Sequence, residues 1–574
     1  MRAFVGCTGK EQHGSVLTWN ASRDIGCLIS GDPFFDDTSE AVAPTFVQRY
    51  EERGLESLLL LQGWFHGVLL DLRQRRLVLF NDRFGLGHLY LHQSGGQTLF
   101  SSEAKSLLAV LPQSRRLDPQ GLSEWLSCGC VLQNRTLFSG ISLLPPGSAW
   151  IFSPDGVARR RYFDPATWES QSPLSPDAYE QRFAEIFPQA LRRSLRGSDP
   201  IAMSLTGGLD GRMIMAWDRS RPGALPCYTF NGPHRDCADA RIARRIAKIC
   251  GQSHQDIPVG DEFLAEFSQL AEQSVFISDG AMDVTGAAEL YANRLAREFA
   301  PVRLTGNYGS EMIRRHVAFK PRRLAAGLFA PEIEEHARAA ATTYAEEARG
   351  HALSFIAFKQ VPWHHFARFA VERSQIKVRS PFLDHDLVAL SFQAPPESAT
   401  SLEPSLRLIA KGDPQLARIP TDRGVTWPPP GRTVNRLRRA FHDYVAKAEY
   451  AYDYGMPDWL ARMDRSVSRL HLEKLFLGRQ KFCHFRSWYR GPLADCVREV
   501  LFDARARSRS YLAPSAIENA VGTHLRADGN RTIELHKLLS LELIHRTLLC
   551  APEMNLRISA RSVATVASTD TLVH

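Results

Sequence analysis

The sequence is poor in cysteine, in long apolar runs and in the familiar metal and phosphate signatures. Its ten cysteines among 574 residues form no Cys-x-x-Cys pair and no zinc spacing, which argues against a disulfide scaffold or a zinc module. A reducing, cytoplasmic setting is the expectation. Cys128 and Cys130, separated by Gly129, read as buried or half-buried thiols. No stretch of about 18 apolar residues occurs, so neither a transmembrane helix nor a membrane partner is expected. The opening Met1-Arg2-Ala3-Phe4-Val5-Gly6-Cys7 turns polar at Thr8, too early for a secretory signal. There is no Gly-x-x-x-x-Gly-Lys-Ser/Thr loop and no His-Glu-x-x-His helix. The adjacent His364-His365 reads as a core or surface pair. Charge of one sign is not concentrated either. Lys and Arg exceed Asp and Glu by 70 to 62, and Arg73-Gln74-Arg75-Arg76, Arg159-Arg160-Arg161 and Arg436-Leu437-Arg438-Arg439 lie far apart, as solvated faces do. A nucleic-acid partner is not expected.

What is present is ordinary globular composition, 44% hydrophobic and 23% charged, long enough for two to four domains. Residues 1–165 read as β-rich. Leu58-Leu59-Leu60-Leu61, Val68-Leu69-Leu70 and Leu77-Val78-Leu79-Phe80 are short apolar runs, and Gly31-Asp32-Pro33 and Ser94-Gly95-Gly96 supply turns. A linker is expected over 166–180, around the Ser- and Pro-rich stretch from Ser170 to Pro176. From 181 to 552 the pattern changes to strand, helix, strand, helix: Ile201–Leu205, then Met213 to Trp217, then Cys227–Phe230, then Ile242 to Cys250 at helical spacing. This predicts a parallel α/β sheet, with a mostly helical part from about 320. Residues 553–574 read as a loose tail.

The most informative segment is Ser204-Leu205-Thr206-Gly207-Gly208-Leu209-Asp210, set between a predicted buried strand and a predicted helix. Adjacent glycines let backbone N–H groups approach an anion, the helix start favours negative charge, and the Ser204 and Thr206 hydroxyls add donors. No lysine grips phosphate here, which suits a loop holding a departing pyrophosphate. Asp210 is a candidate ligand for Mg²⁺. A strand-to-helix turn shaped by glycine alone fits the same residues.

This segment resembles the Ser-Gly-Gly-x-Asp pyrophosphate loop of asparagine synthetases and their relatives. Further segments are similar in the same order: Cys227-Tyr228-Thr229-Phe230 with Asp239-Ala240-Arg241-Ile242-Ala243; Leu304-Thr305-Gly306-Asn307-Tyr308-Gly309-Ser310-Glu311; Val378-Arg379-Ser380-Pro381-Phe382-Leu383-Asp384; and Leu539-Ser540-Leu541-Glu542-Leu543. In the first part, Gly63-Trp64-Phe65, Asn81-Asp82-Arg83-Phe84-Gly85, Phe100-Ser101-Ser102-Glu103-Ala104-Lys105 and Leu144-Pro145-Pro146-Gly147 resemble the glutaminase half of the same enzymes. The resemblance implies a glutaminase-like α+β sandwich followed by a parallel-sheet α/β ATP-pyrophosphatase domain with a largely helical C-terminal part. It also implies cleavage of ATP to AMP and pyrophosphate, an acyl-adenylate, and attack on it by an amine.

The sequence departs from that pattern at chemically important places. A glutaminase of this type uses cysteine as residue 2, with its free α-amino group as base; Arg2 stands there, and Cys7 has only a peptide nitrogen. The first domain is therefore expected to be inert, as in β-lactam synthetases. In the acidic loop Asn307 and Ser310 replace carboxylates and Glu311 is kept. Tyr308 with Asp384 is a candidate phenol–carboxylate base; packing for Tyr308 and a helix cap for Asp384 is the plain alternative. Where the family carries a loop lysine, Arg423 is the candidate charge, a guanidinium that grips phosphate without releasing a proton, and Lys411 is a weaker one.

The resemblance thus implies an AMP-forming ligase that uses ATP and Mg²⁺ on a small-molecule or peptide carboxylate, with ammonia or an amine as nucleophile. Asp384, Glu311, Tyr308 and Arg423 are the catalytic candidates. Ser204, Thr206, Gly207, Gly208, Leu209, Asp210, Thr229 and Gly306 are the nucleotide-binding candidates, with Asp210 and Glu311 on the metal. An amide-ring-closing cyclase, a catalytically dead nucleotide-binding scaffold and a nucleic-acid-modifying enzyme stay open, as does a homodimer.

Overall fold

A computed structural model describes residues 17–232, 235–429, 440–457, 461 and 477–550 with their side chains, and the backbone alone of 4–5, 432–439 and 564–565. Arg2, Cys7, the side chains of Arg436 to Arg439 and the tail from 553, backbone pair 564–565 aside, lie outside the described residues.

The first half is built on a six-stranded antiparallel sheet. In chain order its strands are β1 (Thr18–Trp19), β2 (Ile25–Gly31), β3 (Phe65–Asp71) and β4 (Arg76–Asn81). A hairpin of β5 (Tyr90–Ser94) and β6 (Gln97–Ser101), with β7 (Ser142–Leu143), forms a separate three-stranded sheet. Strands β8 (Ser148–Ser153) and β9 (Gly156–Arg161) complete the larger sheet, whose order is β9-β8-β4-β3-β2-β1. The β5–β6 turn falls on Gly95 and Gly96, at φ 55° and 77°, the left-handed conformation a two-residue hairpin requires. Helix α1 (Val42–Arg53) covers one face, burying Phe46, Val47 and Tyr50 against Val78 and Phe80. The four-leucine run does not form a strand: Gly54–Leu60 is a short 3₁₀ helix, with Leu58 buried and Leu59 exposed.

Ser175 caps helix α2 (Pro176–Ser194) by accepting from the Ala178 N–H at 3.3 Å, with Pro176 in the first turn. A five-stranded parallel sheet follows. Its elements are β10 (Ile201–Ser204), α3 (Leu209–Trp217), β11 (Cys227–Asn231), α4 (Ala238–Ile249), β12 (His254–Pro258), β13 (Val302–Thr305) and β14 (Lys377–Arg379). The order is β12-β11-β10-β13-β14. The chain winds one way from β10 through β12 and then returns to the other side at β13. A switch in winding direction therefore lies between β10 and β13, and such a switch opens a crevice at the carboxyl ends of the strands. Helices fill most of the chain beyond β14, among them Thr532–Ile544, which is buried along most of its length. No helix among the described residues is long and apolar enough to cross a membrane.

The halves share a core. Phe84 stacks on Phe358 at 5.9 Å between ring centroids and packs with Phe163 and Trp168. Asp82 holds the turn that presents Phe84: its buried carboxylate accepts from the N–H groups of Phe84 (3.0 Å), Leu86 (3.2 Å) and Gly87 (2.6 Å). Burial still pushes its pKa up to about 6 against those bonds.

Candidate active site

The crevice at the switch point is a cleft of roughly 240 Å³. One wall is the loop between β10 and α3. Ala202 and Met203 anchor the strand in the core, while Thr206 is exposed and Gly208 half-buried, so the loop is open to a ligand. Gly207 has a steric reason to be glycine: a Cβ there would lie 2.8 Å from Ile242 Cδ1 and 3.0 Å from Asp239 Oδ1. Its N–H donates to Asp239 Oδ1 at 2.8 Å, and the Gly208 N–H lies 3.4 Å from Thr206 Oγ1. Arg212, fully buried, donates to the carbonyls of Gly207 (3.0 Å), Leu416 (3.3 Å), Pro420 (3.3 Å) and Ile419. It ties the loop to segment 416–422 and does not face the ligand side.

The facing wall is the turn after β13, leading into the short helix α5 (Gly309–Arg314). Two glycines let this turn sit on the first loop. A Cβ on Gly306 would lie 2.6 Å from the Gly211 backbone nitrogen, and one on Gly309 would lie 2.5 Å from Asp210 Cγ. Asp210 is gripped by Arg314, whose Nη2 is 2.7 and 3.0 Å from the two carboxylate oxygens. Burial raises the Asp210 pKa, and the Arg314 charge opposes the rise. Glu311 accepts from Ser310 Oγ at 2.9 Å and lies 3.6 Å from His365 Nε2. Tyr308 adopts φ 71° at the start of α5. Its ring meets the edge of His365 at 5.5 Å, and burial pushes its phenol far above the usual range.

The floor holds two ion-paired arginines. Arg303, in the middle of β13, donates to Asn293 Oδ1 (2.9 Å), Glu372 Oε1 (3.1 Å) and Ser204 Oγ (3.1 Å), beneath the Phe230 ring. Arg368 pairs with Glu289 and stands 3.9 Å from Glu372. Gln360 Nε2 lies 3.2 Å from His365 Nε2 while Gln360 Oε1 accepts from the Ala318 N–H at 2.8 Å. The second bond orients the amide so that its NH₂ faces the ring, which leaves the proton on His365 Nδ1. Burial, with the nearby Arg368 charge, holds the His365 pKa down to about 4, so the imidazole is neutral at pH 7.

Ser204, Thr206, Gly208, Asp210, Gly306, Tyr308 and Glu311 thus line one cleft. Gly207 belongs to the same loop, and Leu209 is buried beneath it. Three other candidates stand elsewhere. Thr229 is buried in β11 and spends its hydroxyl on the Leu205 carbonyl at 2.6 Å. Arg423 is half exposed beside Asp422 at 3.4 Å and Asp443 at 3.9 Å, outside the cleft lining. The pairing of Tyr308 with Asp384 is corrected. Asp384 is held by Arg193 Nη1 at 3.1 and 3.0 Å and caps helix α6 (His385–Phe392) through the N–H groups of Asp386 and Leu387. Both residues border a cavity of about 70 Å³ between the halves, yet no hydrogen bond joins them; His365 is the titratable side chain whose ring packs on Tyr308. Arg303, Arg368 and His365 are cleft residues that sequence reasoning missed. An arginine inside the apolar strand Val302-Arg303-Leu304 was a usable signal, since a buried guanidinium needs partners.

As for a metal, no group of three or more His, Cys, Asp or Glu among the described residues is arranged to hold one. Of the three cleft carboxylates, Glu372 is taken up by Arg303, while Asp210 and Glu311 fit Mg²⁺, which takes one or two carboxylates and completes its shell with phosphate and water.

Comparison with known proteins agrees with this layout. Residues 35–163 match the family model described as a glutamine amidotransferase domain, and 182–447 match that of asparagine synthase. The chain is 25% identical over 273 residues to asparagine synthetase [glutamine-hydrolyzing] 3 of Bacillus subtilis, covering 44% of this chain and 43% of that protein. It is 24% identical over 280 residues to a putative asparagine synthetase [glutamine-hydrolyzing] of Mycobacterium bovis, covering 47% and 42%. It is 27% identical over 304 residues to amidase chyE of Penicillium rubens, again covering 47% and 42%. The chain thus spans less than half the length of these curated relatives. From its two domain matches in order, its curated relatives and the glycine loop at the sheet's switch point, the chain belongs to the asparagine synthetase family.

Proposed function

We propose that the cleft binds ATP and joins its AMP to a carboxylic acid, and that ammonia or an amine then displaces AMP to form an amide. A carboxylate oxygen attacks the α-phosphorus and pyrophosphate leaves. The amine nitrogen then attacks the acyl carbon, AMP leaves on its oxygen, and the amine proton passes to a base. The observation that carries this reading is the open glycine loop at the carboxyl end of β10, facing Arg303 and Arg368 across the switch-point cleft. Pyrophosphate would lie on the loop and the start of α3, where Thr206 and Gly208 stand open. Asp210 and Glu311 would hold Mg²⁺, which neutralises phosphate charge when bound; Asp210 exchanges its Arg314 contact to do so, freeing a guanidinium beside the phosphates. His365 Nε2, neutral at pH 7 and 3.6 Å from Glu311, gives up the hydrogen bond it accepts from the Gln360 amide and takes the amine proton in its place, with the carboxylate stabilising the imidazolium. Tyr308, kept protonated by burial, positions the ring.

The nitrogen comes from solution and not from glutamine. Supporting this, the cavity between the halves is only about 70 Å³ and is walled by charge pairs. Asp32 of the first half bonds Arg196 at 2.5 Å and Arg379 at 2.8 Å. The test is to incubate the protein with ATP, Mg²⁺, ammonia and a panel of acids, measuring AMP, pyrophosphate and any glutamate released from added glutamine. Acid-dependent AMP and pyrophosphate in equal amounts are expected, and Asp210→Ala should abolish both. AMP formation surviving that change refutes the role of Asp210, and glutamate release refutes the independence from glutamine.

A further inference from the structure

Behind the cleft lies a second, larger cavity of about 630 Å³, within the size range of small-molecule sites. His365 and Arg368 line both spaces, so a ligand in the second has its end at the first. Its walls combine flat aromatic surface with two lysines. Trp125 and Phe485 come from helices of the two different halves, and Tyr454 and Phe482 add further rings. Lys537 donates to the Trp125 carbonyl at 3.0 Å with its ammonium 4.8 Å from that indole. Lys481 sits 4.7 Å from the rings of both Tyr450 and Tyr454.

Neither ammonium forms an ion pair with a described carboxylate. The acids that face the cavity are already engaged: Glu289 by Arg368, and Asp283 by the Thr285 N–H at 2.9 Å and its hydroxyl. The other basic groups there, His364 and His365, are held neutral by burial. Burial also pushes Lys537 down to about 8 and lowers Lys481, outweighing the opposing charge of Asp283 at the first and of Asp453 and Glu449 at the second. Cation–π contact offsets only part of that cost, whereas an anion supplied by a ligand would satisfy both ammonium groups.

We propose that this cavity holds the acid that the cleft activates, and that the acid is an aromatic or similarly flat molecule bearing a second anionic group, carboxylate or phosphonate-like, bound by Lys537 and Lys481. The proposal rests on the ligase reading for the acid's fate but not for its binding. Lysine is a point charge without a fork, so the pair selects for charge and leaves the shape of the anion open.

The test is calorimetric, on the full chain without nucleotide. The probes are phenylacetate, 4-carboxyphenylacetate and 4-phosphonophenylacetate. The two dianions are expected to bind about tenfold or more tightly than phenylacetate, as a charge-assisted bond in a recessed site provides; the tighter of the two names the preferred anion. Lys537→Met and Lys481→Met should each erase most of that advantage, and Lys537→Arg should keep it. Should one Met variant fail to fold, the other carries the test. Equal binding of mono- and dianions, or a dianion advantage that survives in a folded Met variant, overturns the proposal. Acid-dependent exchange of pyrophosphate into ATP, measured in parallel, separates the two readings. A dianion preference without exchange sinks the ligase and leaves the cavity; exchange with indifference to the second anion does the reverse.

Discussion

Asp239 offers the sharpest probe of the glycine loop between β10 and α3. Its half-buried carboxylate accepts the Gly207 N–H at 2.8 Å, one of the amides an incoming phosphate would otherwise meet. Burial and then the Asp422 charge raise its pKa from an ordinary 3.8 to about 6, against the pull of that N–H and of Arg423. At ~1.36 kcal/mol for each pH unit, keeping this group ionised in the fold costs about 2–3 kcal/mol, the lower end allowing for its partial contact with solvent. The sign follows from linkage: with the folded pKa above the unfolded one, the group's contribution is fully present below about pH 4 and is lost as pH rises through about 6. Asp239→Asn keeps an oxygen for the Gly207 N–H and removes the charge. The variant and the parent should therefore be equally stable near pH 4, and the variant should be about 2–3 kcal/mol more stable at pH 7. Urea unfolding at several pH values between 4 and 8 measures the difference directly. ATP should also bind the variant more tightly at pH 7, because a negative charge beneath the loop is gone. A variant less stable than the parent at pH 7, or a difference that does not change with pH, refutes the reasoning.

Other expectations follow from contacts on the same scaffold. Arg303→Met leaves buried Glu372 without its main partner and should lower stability by about 3–5 kcal/mol; adding Glu372→Leu should recover part of that loss in the same denaturation assay. Gly306→Ala drives a Cβ to 2.6 Å of the Gly211 backbone nitrogen, where no side chain can yield, so the two loops must part; AMP formation should fall at least tenfold, with a stability cost of about 1–3 kcal/mol. Asp32→Asn removes the shared anion of Arg196 and Arg379 and should loosen the seam between the halves, read as faster cleavage by a limiting protease in the segment near Ser170.

The sequence was legible where local chemistry decides. The glycine loop between β10 and α3 announces itself because a buried strand, two glycines and an apolar helix follow one another with no long-range help, and the turn at Gly95-Gly96 does so for the same reason. The four leucines at 58–61 misled because an apolar run without alternation or β-branching does not choose between strand and tight helix. The structure buries Leu58 and Leu61 and exposes Leu59, the one-sided pattern of a helical turn. Asp384 carried a local signal as well, since an aspartate ahead of His385-Asp386-Leu387 is a helix cap, and that reading describes its bonds.

The cleft's cations were illegible for a different reason. Arg303 meets Ser204, Asn293 and Glu372, and Arg368 meets Glu289, partners spread across nearly 170 residues of chain that only the parallel sheet and its flanking helices bring together. This long-range set also bears on the turn after β13. Asn307 and Ser310 bring no charge to the cleft, while Arg314 approaches Asp210 from within α5 and Arg303 and Arg368 form the floor. On the proposed function, these three guanidinium groups, each paired here with a carboxylate, would meet phosphate charge alongside a metal. On that account Arg314→Met should make nucleotide binding more dependent on Mg²⁺, since the metal alone would then answer the charge that Arg314 shares. Titrating Mg²⁺ against ATP binding in parent and variant distinguishes this from a structural role for Arg314: a uniform loss of affinity at every Mg²⁺ concentration would mean that the guanidinium only props up Asp210.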